Sequence, residues 1–220
     1  MGDAPSGRVR ALVFDLDGVL TDTARAHYAA WKEIADAVGA PFDEHANEAL
    51  KGVDRMGSLD LILQKAPRPF DAAEREALAA RKNARYRELI AGFGPGDLLP
   101  GARAALERAR ARGLPTALAS ASRNAPELLR RLEVAHLFDA VVDPASVPRG
   151  KPDPGIFLAA ARALHVAPGA CLGIEDAQAG VAAIKAAGMT ALGVGDPQLL
   201  AQADVVTPDL ASVDWERLLA

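Results

Sequence analysis

The sequence predicts an α/β fold, a mostly parallel sheet with helices on both faces, interrupted by an inserted helical segment. Two observations point there. From about residue 102 onward, short apolar runs alternate with helical stretches, the signature of βα units packed into a parallel sheet. Residues 22–88, by contrast, show helical spacing of apolar residues and lack convincing strands, so they read as a compact insertion behind the first strand.

Residues 10–16 are the first predicted strand, ending in Asp15, Asp17 and the break at Gly18. In the insertion, Ala24, His27, Ala30, Trp31, Ile34 and Val38 recur at helical spacing until Gly39 stops the helix. Helical tracts follow at 43–50 and 58–65, and Pro67-Arg68-Pro69 leads into a long helix over 71–91. The second half then reads helix 102–112, strand 115–119, helix 126–132, strand 140–142 and helix 154–164. Strand 171–174, helix 179–187 and strand 190–194 complete the alternation.

An apolar share of 50% is ample for a buried core, and 220 residues suffice for one large domain or a core with a smaller insertion. The formal charge of -4 gives no reason to expect a nucleic-acid backbone as partner. Cys171, the single cysteine, forms no internal disulfide, and its apolar neighbours suggest a buried inert thiol. No segment approaches the roughly 20 apolar residues of a membrane span, and no basic flank leads into a continuous apolar run of secretory type. The expectation is a cytoplasmic enzyme or binding protein without membrane attachment or an obligate protein partner, a monomer by default.

Chemistry concentrates at predicted strand ends. Asp15 and Asp17, two residues apart, project toward the same side of an extended strand. Close carboxylates repel unless a cation or shared proton relieves them. Ser120 follows one later strand and Glu175-Asp176 another, and in open α/β sheets such ends face a common crevice. Four acids offer hard oxygen ligands suited to magnesium, which keeps waters and uses few protein carboxylates beside a substrate phosphate. Alone, Glu175-Asp176 also reads as a helix cap, Ser120 as a turn residue and Lys151 as a solvated loop charge. The Gly150-Lys151-Pro152 stretch is not a Walker phosphate loop, which needs a longer glycine-rich approach.

In order, Asp15-Leu16-Asp17-Gly18-Val19, Ser120, Lys151 and Glu175-Asp176 resemble the four motifs of the haloacid dehalogenase superfamily of phosphoryl-transfer enzymes over nearly the whole chain. The resemblance implies a Rossmann-like core, residues 1–21 and 89–220, with an inserted α-helical cap, residues 22–88. It implies that Asp15 is the nucleophile, Asp17 the general acid and base, and Ser120 and Lys151 the holders of the transferring phosphoryl group. Magnesium would be held by Asp15, the Asp17 backbone carbonyl, Glu175 and Asp176.

Further stretches resemble the β-phosphoglucomutase family within that superfamily: 15–24 with His27 and Trp31, 50–55 with Ser58, 81–83, 119–124 and 175–180. This implies isomerisation of a small phosphorylated sugar, β-D-glucose 1-phosphate to D-glucose 6-phosphate, through an aspartyl phosphate and β-D-glucose 1,6-bisphosphate as activating intermediate. By the same resemblance Arg55 grips the phosphate not being transferred, with Ser122 and Asn124. Arg123 stands where the family often has lysine. His27 and Lys51 would place the sugar and couple cap closure to Asp17, with Thr23 in the local hinge. Gly52, Ser58, Lys82 and Trp31 complete the expected substrate lining, although the size of Trp31 also suits packing at a helix interface. Asp54 replaces a serine of the family and is expected to weaken or redirect sugar contacts. The alternatives are a sugar-phosphate phosphatase on the same core and a non-enzymatic phosphosugar-binding protein.

Overall fold

The structure, a computed structural model, describes residues 9–219. The parts of the expected core at residues 1–8 and 220 lie outside the described residues. Six parallel strands form one sheet in the order β3-β2-β1-β4-β5-β6: β1 (Ala11–Phe14), β2 (Thr116–Leu118), β3 (Ala140–Val141), β4 (Cys171–Glu175), β5 (Thr190–Val194) and β6 (Val205–Thr207). This is the expected α/β arrangement with one strand more. Val205–Thr207 is too short to stand out in the sequence, and only its pairing with β5 makes it a strand. Strands β1, β2 and β3 are shorter than the stretches 10–16, 115–119 and 140–142 that mark them, because pairing stops before the flanking residues turn into loops, whereas β5 matches 190–194 and β4 runs one residue past 174 to Glu175.

Strand β1 shows how alternation builds two layers. Leu12 and Phe14 join a core with helices α5 (Ala102–Ala111) and α6 (Ala125–Arg131). Ala11 and Val13 face α7 (Gly155–Ala163) and α8 (Gln178–Ala186) on the opposite side. All four are fully buried, as a strand sandwiched between helices requires. Each large side chain so removed from water contributes roughly 1.5–3 kcal/mol before chain entropy is counted. A last short helix, α9 (Trp215–Leu218), closes the first layer through Trp215 and Leu218.

Between β1 and α5 lie α1 (Ala24–Val38), α2 (Glu44–Glu48), α3 (Arg55–Leu63) and α4 (Ala72–Leu89). They share a separate apolar cluster that includes Trp31, Ile34, Phe42, Leu59 and Ile62. Helix α1 ends where Gly39 takes a left-handed conformation and its N–H reaches back to Ala35 and Asp36. Asp71 and Glu74 form a reciprocal capping box at the start of α4. Ala26, Ala30 and Tyr86, inside this helical unit, pack with the sheet's own core, so the unit is anchored through the first half of α1 and the last turn of α4. No helix among the described residues is long and apolar enough to cross a membrane.

Candidate active site

The sheet register builds the centre. Phe14 pairs with Ile174, so Asp15 and Glu175 emerge side by side from the ends of adjacent strands. Two carboxylates so placed repel, and Lys151 answers both, with Nζ 2.6 Å from Asp15 Oδ1 and 2.5 Å from Glu175 Oε1. Glu175 Oε2 accepts from the backbone N–H groups of Asp176 and Ala177 at 2.8 and 2.9 Å. Burial works against the charge on Lys151, but the two carboxylates outweigh it and hold the ammonium protonated.

Two glycines make room for the acids. A Cβ on Gly180, in α8, would lie 1.8 Å from Glu175 Oε1, and one on Gly18 would lie 2.1 Å from Asp176 Oδ2. Gly18 also has φ +80, a left-handed conformation that a side chain resists.

Asp15, Glu175 and Asp176 each offer an oxygen within 4.8 Å of the others. One ammonium does not neutralise three carboxylates. Burial, followed by the charges of Glu175 and Asp15, pushes Asp176 up to about 9. Burial also pushes Asp15 up to about 7 although Lys151 pulls against it. A compact set of hard oxygen donors with excess negative charge fits a divalent cation of the magnesium type. The side chain of Asp17 stands apart from this group. It accepts a hydrogen bond from Thr23 Oγ1, and burial raises its proton affinity while that bond opposes the rise. Thr23 occupies the N-cap of α1 yet makes no side-chain cap bond, because its hydroxyl is committed to Asp17.

The helical unit supplies the facing groups. Lys82 is 4% exposed, its Nζ 2.9 Å from His27 Nδ1 and 4.7 Å from the centres of the Trp31 and Tyr86 rings. Burial, then Arg55, lowers Lys82 to about 7 against the pull of Asp17. Burial, Lys82 and Arg55 together keep His27 neutral well below its usual range. With Nδ1 facing the lysine, the imidazole proton belongs on Nε2, which is 3.9 Å from Asp17 Oδ2.

Arg55 Nη2 and Asn124 Nδ2 both donate to Asn83 Oδ1, at 2.8 and 2.9 Å. Asn83 thereby ties α3 and α4 to the start of α6. Burial and the nearby Arg123 guanidinium both disfavour the charge on Arg55, an imbalance that an anion between them would relieve. Ser122 N donates to Ser120 Oγ, and Asn124 N to Ser122 Oγ, which folds the loop after β2 inward.

An open cleft of about 700 Å³ collects these groups. Asp15, Asp17, Thr23, His27, Trp31, Lys51, Gly52, Arg55, Ser58, Lys82, Ser122, Asn124, Glu175 and Asp176 line it. Lys151 and Ser120 are buried and do not line it; Lys151 and the exposed Arg123 line a second recess of about 410 Å³. Trp31, 2% exposed, belongs to the apolar cluster of the helical unit while touching the cleft. Lys51 pairs with Glu48 at 2.9 Å and feels the charge of Asp176. Asp54 faces the second recess, where it caps α3 by accepting from Met56 N and Gly57 N. Capping accommodates its departure from serine, since both residues are good N-caps. Asn83 and Tyr86 are the central residues that sequence reasoning leaves without a role. A lone asparagine inside a helix, where its propensity is poor, is the faint signal for the first.

The chain matches the family described as "Hydrolase: haloacid dehalogenase-like hydrolase" over residues 9–188. It is 47% identical over 218 residues to a β-phosphoglucomutase of Bacillus subtilis (strain 168), covering 95% of this chain and 96% of that one. A phosphorylated carbohydrates phosphatase of Thermotoga maritima is 34% identical, with 82% of each chain covered. Among solved structures, a β-phosphoglucomutase from Clostridium difficile superimposes with a TM-score of 0.92 at 40% identity, covering 94% of each chain.

Proposed function

Because the chain belongs to the haloacid dehalogenase-like hydrolase family, we propose that it is a magnesium-dependent phosphomutase interconverting β-D-glucose 1-phosphate and D-glucose 6-phosphate. The likeness to the Bacillus subtilis and Clostridium difficile enzymes supports the substrate. The observation that carries the reading is one cleft holding two kinds of phosphate chemistry. Buried acids and a lysine serve the transferring group, and Arg55 with Asn83 and Asn124 forms a second anion-binding group.

In the first half-reaction a carboxylate oxygen of Asp15 attacks phosphorus, the bond to the sugar oxygen breaks, and Asp17 gives that oxygen its proton. The raised proton affinity of Asp17 suits it to arrive protonated. In the second, a sugar hydroxyl yields its proton to Asp17 as its oxygen attacks the aspartyl phosphate, and Asp15 leaves as carboxylate. Starting from phosphorylated Asp15, β-D-glucose 1-phosphate becomes β-D-glucose 1,6-bisphosphate, which turns over in the cleft and returns its 1-phosphate to Asp15. Lys151 holds a constant positive charge beside Asp15 throughout. Asp15, Glu175 and Asp176 would hold magnesium, whose charge when bound offsets theirs and that of the transferring group. Arg55 keeps the other phosphate, so its binding energy orients the acceptor hydroxyl in competition with water.

Glucose 6-phosphate and inorganic phosphate are to be followed together, starting from β-D-glucose 1-phosphate, magnesium and a trace of the bisphosphate. Glucose 6-phosphate is expected to form far faster. Dominant phosphate release would overturn the mutase reading in favour of a sugar-phosphate phosphatase.

A further inference from the structure

Tyr86, on helix α4, lies behind the cleft lining, and only its oxygen lacks an explanation. Its ring lies against His27, with centroids 4.3 Å apart, and supports the Lys82 ammonium. A phenylalanine would provide both contacts. The side chain is 1% exposed, and among the described residues its hydroxyl completes no hydrogen bond of good geometry. The side chain packs against the first turns of α1, on Ala26, Ala30 and His27, whose N–H donates to the Thr23 carbonyl one turn earlier, and the hydroxyls of Thr23 and Ser122 both act on its phenol.

Counting protons assigns the direction of the missing bond. Thr23 has one hydroxyl proton and gives it to Asp17 Oδ1, so toward Tyr86 it can only accept. Burial, then the charge of Asp17, keeps the phenol protonated, so Tyr86 is able to donate. Ser122 Oγ accepts from the Asn124 backbone and retains its own proton for other partners.

We propose that Tyr86 is a positioning residue for phosphoryl transfer: its hydroxyl donates to Thr23 Oγ1, which commits the Thr23 proton to Asp17 and holds that carboxyl toward the sugar oxygen. A slight adjustment of the side chain when substrate is held completes the bond, since a buried hydroxyl without a partner is costly. Lys82, Asn83 and Tyr86 sit on the same stretch of α4, so the groups that grip the sugar phosphate and the group that steadies the proton partner move together. The inference rests on the role given to Asp17 above, and it places Tyr86 out of contact with substrate.

The test is a cycle of Tyr86→Phe, Thr23→Val and the double variant. Activity is read as isomerisation of β-D-glucose 1-phosphate and as hydrolysis of a simple alkyl phosphate, whose leaving oxygen also needs a proton from Asp17. Tyr86→Phe is expected to lower kcat about tenfold with KM within about twofold and no loss of thermal midpoint. In the Thr23→Val background the same change is expected to cost nothing more. A kcat within about twofold of wild type, a loss confined to KM, or independent losses in the double variant would each overturn the proposal. A wild-type enzyme that releases phosphate without isomerising would overturn the mutase reading alone, and the cycle is then judged on hydrolysis by the same criteria.

Discussion

Asn83 shows how much one side-chain oxygen can organise. It accepts from both Arg55 and Asn124, and the Arg55 bond carries a full charge. We expect Asn83→Ala to raise KM for β-D-glucose 1-phosphate by about tenfold or more, the scale of a charged hydrogen bond. Hydrolysis of a small alkyl phosphate, which has no second phosphate to grip, should change little. Equal losses in both reactions, measured as kcat/KM, would remove Asn83 from the clamp. Asp15, Lys151 and Glu175 are legible in the sequence as an ordered set at strand ends, although Lys151 alone reads as a loop charge and Glu175 alone as a helix cap. Asn83 and Tyr86 are not, because ordinary helix residues acquire their meaning only from what α4 packs against.

At the level of elements, the floor of the site depends on how closely α8 approaches the end of β4. Gly180 permits that approach, since its missing Cβ would otherwise occupy the space of Glu175 Oε1. Gly180→Ala should displace Glu175 from Lys151, lowering kcat at least tenfold and the thermal midpoint by several degrees, as uncompensated buried charge does. Gly92→Ala, which meets nothing within 4 Å, is the control and should leave both unchanged. The alternation of strands and helices after residue 102 is readable because each buried strand carries an uninterrupted apolar run. Strand β6 escapes such a reading because two of its three residues are half-exposed and its identity comes from β5 beside it. Helix α9, four residues long, is likewise defined by docking through Trp215.

For the whole molecule, the acid cluster links metal, pH and stability. Without metal, the folded protein keeps protons on Asp176 up to about 9 and on Asp15 up to about 7, while ordinary aspartates release theirs near 3.8. The unfolded chain therefore binds fewer protons through this range, and folding stability from these groups falls as pH rises. Lys82, lowered to about 7 from 10.5, is mostly protonated in both states below pH 6.5 and adds little slope there. Saturating magnesium should raise the thermal midpoint by about 5–10 °C, and by more at pH 6.5 than at pH 5. A magnesium shift independent of pH over that interval would contradict the protonation assigned to these aspartates. The strand order carries a separate consequence for the nascent chain. Leu12 pairs with Leu172, so the strand that leads into the nucleophile is synthesised long before its β4 neighbour. Any fragment that stops short of the end of β4 holds Asp15 without Glu175 or Asp176, and phosphoryl transfer should switch on only once synthesis has passed β4.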